Sequence, residues 1–124
     1  NRPRSQMMII SLAGPATNVL IALISAMIYH LSVDILKASP LLFPMAASLQ
    51  LLVKINLSLA LFNLIPIPPL DGSHIMKGLI PYKHLKLYLK IEPYGFIVLV
   101  VFIFSGILST TFVPVINTLT RFLL

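Results

Sequence analysis

Residues 63–72 read Asn63-Leu64-Ile65-Pro66-Ile67-Pro68-Pro69-Leu70-Asp71-Gly72. They close one apolar segment, and a second apolar run of similar length follows a few turns later. Proline lacks a backbone donor and collides with the preceding turn, so no helix continues through Pro66, Pro68 and Pro69. Non-helical backbone at membrane depth persists only where protein buries it or where it lines a watery cavity. A carboxylate at such depth is a functional-site hypothesis by default. The stretch therefore predicts a cavity inside a membrane protein, with Asp71 facing a positive charge.

Working outward, composition agrees with a membrane setting. The 124 residues are 58% hydrophobic and only 10% charged, with a mean hydropathy of +1.00, far from soluble usage. Nine Lys and Arg stand against three Asp and Glu. The basic residues flank apolar spans instead of forming a stripe, which argues against nucleic acid as a partner. The lack of cysteine excludes disulfides and thiolate metal sites. The length allows one membrane domain, 1–124, and the chain does not open with Met, as expected of an internal piece.

Three spans are predicted in an all-α membrane fold: 7–33, 41–64 and 94–113. Only Lys54 is charged within them. Gly14-Pro15 predicts a kink or local break in the first. The tail from Pro114 is too short to span, but Val115, Ile116, Leu119, Phe122 and Leu123 share a helical face, which predicts a short interfacial helix. Arg2 and Arg4 precede the first span, while Lys77, Lys83, Lys86 and Lys90 lie between the second and third. The positive-inside rule then puts the 77–92 connector in the cytoplasm. Lys83, Lys86 and Lys90 share a face, so residues 82–91 are expected to form a surface helix, either resting on anionic membrane lipids or simply solvated.

Polar residues within the spans have two readings each. Asn56, Asn63 and Asn18 can all join helices by hydrogen bonds, but Asn63 sits where its helix stops and can reach a loop backbone or a substrate carbonyl. Lys54 reads as a snorkelling cation at the outer end, with a buried ion pair as the alternative. Asp71 can cap or salt-bridge a helix running through Ile75, Met76 and Leu79, or it can bind a metal as a hard donor. His74, three residues on, does not complete a zinc site with it, and His30 and His84 belong to other regions. No His-Glu-x-x-His occurs.

Two motifs taken together carry a resemblance. Ser11-Leu12-Ala13-Gly14-Pro15-Ala16-Thr17-Asn18, followed by Asn63-x-x-Pro66-x-Pro68-Pro69-Leu70-Asp71-Gly72, is similar to the site-2 protease family of intramembrane zinc metalloproteases. Within that family it resembles the short bacterial and archaeal branch without a PDZ insertion. The likeness extends to Tyr94-Gly95-Phe96. It implies that Asp71 is the third zinc ligand and that Asn63 holds the substrate or polarises its carbonyl. Gly14, Pro15, Asn18, Pro66, Pro68 and Gly72 would then be structural parts of the motifs. It also implies that the other two ligands and the general base come from an earlier span, outside this chain, so the chain alone would be inactive. The implied partners are a transmembrane protein substrate and the N-terminal part of the same protein, in a prokaryotic cell membrane. The alternatives are an inactive scaffold or binding module of the same fold, and a transporter built on broken helices.

Overall fold

A computed structural model describes residues 4–124, all helix and connecting turns; Arg2 lies outside the described residues. The elements are α1 (Arg4–Ala38), α2 (Phe43–Asn63), α3 (Asp71–Leu79), α4 (Tyr82–Ile91), a 3-10 turn (Glu92–Tyr94), α5 (Gly95–Phe104) and α6 (Ile107–Leu123). Three helical runs are long and apolar enough to cross a membrane: Arg4–Ala38, Phe43–Asn63 and Tyr82–Phe104.

Helices α1 and α2 form an antiparallel hairpin through a short turn closed by backbone bonds from Leu42 and Phe43 to the Ser39 carbonyl. Small residues let the two approach: Ala22 and Ala26 of α1 are buried on Val53 and Leu57 of α2. Nearer the turn, Tyr29, Leu36 and Ala46 form a second cluster, and the Gln50 side-chain amide donates through Nε2 to the Tyr29 hydroxyl at 2.8 Å. Small interfacial residues and cross-helix polar contacts are the usual means of joining helices in lipid. Outward-facing positions are apolar, with Leu31 80% and Phe104 85% exposed. Such a surface suits hydrocarbon, not water.

The expected span 7–33 lies within the longer α1, 41–64 brackets α2, and 94–113 is divided between the 3-10 turn, α5 and α6. The α1 helix continues through Gly14-Pro15, where a kink or local break is expected, without a break. The third apolar run starts at Tyr82 because Pro93 falls in the first positions of the 3-10 turn, where a missing N–H costs nothing. It ends at Phe104, short of Val113, because Gly106 adopts a left-handed φ of 81° that a glycine takes without penalty. The last helix therefore begins at Ile107 and includes the tail. Its Ile116 is buried, and Leu123 packs on the α1–α2 cluster. Phe122, placed by periodicity on the same apolar face, is 87% exposed.

Candidate functional site

Helix α3 starts at Asp71, with Leu70 as its N-cap in extended backbone and no side-chain cap. Ser73 instead bonds back to the Leu70 carbonyl through both its backbone N–H, at 3.1 Å, and its hydroxyl, at 2.7 Å. This removes the capping role considered for Asp71. The carboxylate lies in the first helical turn, where the helix dipole favours negative charge.

Two glycines fix where that carboxylate sits. A Cβ on Gly72 would lie 2.2 Å from the Leu64 carbonyl oxygen and 2.3 Å from that of Ile65, so the start of α3 rests directly on the backbone that ends α2. A Cβ on Gly14 would lie 2.9 Å from Asp71 Oδ2. Only a residue without a side chain lets the carboxylate come this close to α1. The Gly14-Pro15 segment, the end of α2 at Asn63 and the Asp71-Gly72 turn thus converge, although up to 58 positions separate them in the chain. Asn63, half-buried, is the last residue of α2, next to the Leu64 carbonyl that touches Gly72.

The elements that follow pack against the proline loop between them. The Tyr88 hydroxyl of α4 donates to the Pro66 carbonyl at 2.9 Å. Gly95, at the start of α5, packs so tightly on Pro68 that a Cβ would meet its ring atoms and carbonyl at 2.8 Å. Protein thus packs against one side of the irregular backbone, while Pro66 and Pro69 stay exposed, so the loop can still line a watery cavity.

Arg4 anchors the other end of α3. Its Nε donates to the Lys77 carbonyl at 2.7 Å, a second guanidinium nitrogen donates to the Ile80 carbonyl, and the group stacks 4.3 Å over the Tyr82 ring. A cation on the last carbonyls of a helix opposes its dipole favourably. The contact also puts Arg4 at the same end of the molecule as the Lys77–Lys90 region. Gly14 lies ten residues further along α1, a rise of about 15 Å, so Asp71 sits roughly half a hydrocarbon thickness in from that end.

The remaining candidates separate from this centre. His74 lines a different cavity, of about 180 Å³, with Arg4, Met7 and Lys77, and its Nδ1 is buried without a hydrogen-bond partner. His30 is bonded to the Leu123 carbonyl at 2.6 Å, at the far end. Asn56 donates to Leu52 of its own helix at 2.8 Å instead of joining a neighbour. Asn18 is half-buried, and the hydrogen bonds of the described residues include no cross-helix bond from it. Lys54 is exposed, as a snorkelling cation would be. Among the described residues the one ion pair is Lys77–Glu92, at 3.0 Å, which leaves Asp71 without a cation. Nor, among the described residues, do any three His, Cys, Asp or Glu side chains gather closely enough to hold a metal.

Sequence comparison bears on what such a lone donor is for. The sequence model of peptidase family M50 matches residues 32–106. The chain belongs to this family, that of the site-2 proteases. It is 32% identical over 120 residues to "Putative zinc metalloprotease YwhC" of Bacillus subtilis, covering 94% of this chain and 54% of that protein. It is 39% identical over 72 residues to "Putative zinc metalloprotease sll0528" of Synechocystis, covering 57% of this chain and 17% of that protein. The chain thus spans about half the length of the first relative and less of the second. No solved structure matches it. The sequence singles out Asp71 and Asn63 as candidates, whereas the contact of Gly14 with Asp71 and of Gly95 with Pro68 has no signal beyond the presence of the glycines.

Proposed function

We propose that this M50 chain supplies the C-terminal part of an intramembrane zinc metalloprotease site, with Asp71 as one zinc ligand and Asn63 as the group that holds the substrate carbonyl. The observation that carries this reading is the half-buried Asp71 carboxylate, held against Gly14 where three elements meet, with no cation beside it among the described residues. A carboxylate partly removed from water and without a cation beside it favours a positive partner, and a hard oxygen donor suits zinc. The names of both relatives point to the same metal. The remaining ligands and the base come from residues outside 1–124, so the isolated chain is inactive.

Bound zinc would supply an acidified water and a polarised scissile carbonyl. In this reading each of the chain's residues has its own role. Asp71 holds the metal from the first turn of α3. Gly14 leaves the space the carboxylate occupies. The Asn63 amide, at the end of α2, donates to the carbonyl oxygen of a substrate segment as charge develops there. The loop Pro66–Pro69 forms the non-helical wall that admits water at this depth. The substrate is a membrane-spanning protein, the setting is a prokaryotic cell membrane, and the 77–92 connector faces the cytoplasm.

The test is metal content and cleavage of a transmembrane substrate by the purified full-length protein and its Asp71→Ala variant. Loss of activity with weakened zinc supports the reading. Undiminished zinc and activity would end it, and an unaltered protein that neither binds zinc nor cleaves would favour the inactive scaffold.

A further inference from the structure

The crevice between α2 and α6, on the side of the molecule away from Arg4, has two contiguous parts of opposite character. The first is an open cavity of about 540 Å³ lined by Tyr29, Gln50, Lys54, Thr120 and Arg121 among others. The second is a groove of about 620 Å³ running from Leu51 and Lys54 past Leu59 and Phe62 to Leu108 and Phe112. Leu51 and Lys54 line both, so the two adjoin. Among the described residues no Asp or Glu lines either part. Lys37 adds a third cation nearby, 5.8 Å from the centre of the Tyr29 ring.

Depth along α1 gives the crevice its setting. Tyr29 lies 25 residues from Arg4, a rise of about 38 Å. The hydrocarbon core is about 30 Å thick and the whole bilayer, with headgroups, about 40–45 Å. With Arg4 at one interface, where its charge must stay, the cationic cavity falls at the headgroup level of the opposite leaflet. The apolar groove then runs inward from it, along acyl-chain depth. Gly106 creates this shape: its turn sends α6 back along α2 and leaves the groove between them.

We propose that this crevice binds one anionic phospholipid, with the phosphate between Lys54 and Arg121 and an acyl chain along the Leu59–Phe112 groove. Charge complementarity selects the phosphate, since two uncompensated cations face one cavity. The adjoining apolar groove selects a lipid over a free anion. The inference rests on the membrane setting and is independent of the protease reading.

The experiment uses purified full-length protein stripped of lipid in detergent, then incubated with phosphatidylglycerol, with uncharged diacylglycerol, or with inorganic phosphate. Bound lipid is read by native mass spectrometry. Lys54→Gln with Arg121→Gln should lower phosphatidylglycerol affinity at least 10-fold and leave diacylglycerol retention unchanged. Ser58→Phe, which fills the groove, should lower retention of both lipids. Lys83→Gln with Lys86→Gln, an equal loss of charge at the other end, should change neither. Undiminished phosphatidylglycerol binding by the Lys54/Arg121 variant would overturn the proposal. So would displacement by inorganic phosphate as effective as by phosphatidylglycerol itself. A photo-crosslinker at Phe112 that captures a protein segment instead of lipid would also overturn it. If the double variant does not fold, Arg121→Gln alone decides, because Arg121 is exposed and its side chain bonds only to Asn117 of its own helix.

Discussion

Gly14 and Asp71, 57 positions apart in sequence, are so close that a single methyl group on Gly14 would sit 2.9 Å from the Asp71 carboxylate oxygen. This contact joins α1 to the first turn of α3. Gly14→Ala should therefore displace the carboxylate by a few tenths of an ångström while α1 stays helical, since alanine favours a helix over glycine. We expect catalytic activity of the full-length protein to fall about 10-fold or more, as misplacement of a reacting group costs rate steeply. Thermal stability should be little changed. An active, unaffected Gly14→Val protein would show that the approach is not needed.

Asn63→Ala is expected to reduce turnover by about 10²-fold, the usual effect of removing one donor to a developing oxyanion. Zinc content should stay near normal, because the amide is not a metal ligand in this reading. Metal analysis and cleavage rates on the same preparation separate the two. Loss of metal or of folded protein would make Asn63 structural.

Gly72 and Gly106 should respond to alanine in opposite proportions to their backbone and contact demands. At Gly72 the added atom meets two carbonyl oxygens at 2.2 and 2.3 Å, and both belong to backbone that cannot swing away. Overpacking of this kind costs about 1–3 kcal/mol or more. At Gly106 nothing lies within 4 Å, and only the left-handed backbone opposes a side chain, at about 1–2 kcal/mol. Thermal unfolding in detergent should rank Gly72→Ala as the more damaging, with the loss of Asp71-dependent activity confined to it.

Topology is open to direct labelling, because the chain has no cysteine background. Single cysteines at Lys83 and Lys37 should react with an impermeant reagent from opposite sides of the membrane, with position 83 on the cytoplasmic side. Arg4 and Ile80 are bonded to each other, so a cysteine at Tyr82 should follow position 83. Labelling of 83 and 37 from the same side would refute the arrangement of spans.

Sequence alone determined the helical membrane class, the first two spans, the end of α2 at the prolines, and Asp71 and Asn63 as the residues to watch. These follow from local chemistry: apolar length, missing backbone donors, and a carboxylate where charge is expensive. Only the tertiary structure decided what meets what. In lipid a spanning helix is apolar all round, so its periodicity does not mark which face packs, and the burial of Ala22 and Ala26 against Val53 and Leu57 was not legible. A C-terminal helix forms as expected, but for the same reason its apolar face does not pack as one: Phe122 stays outside while Ile116 and Leu123 turn inward. The third span was misplaced because Ser105-Gly106 within an apolar run carried a turn signal weaker than that of Pro93, which the chain absorbed in the first turn of a 3-10 helix. Gly14, Gly72 and Gly95 show the same limit. A glycine announces that something can come close, but only the fold supplies the Asp71 carboxylate, the Leu64 carbonyl and the Pro68 ring that do.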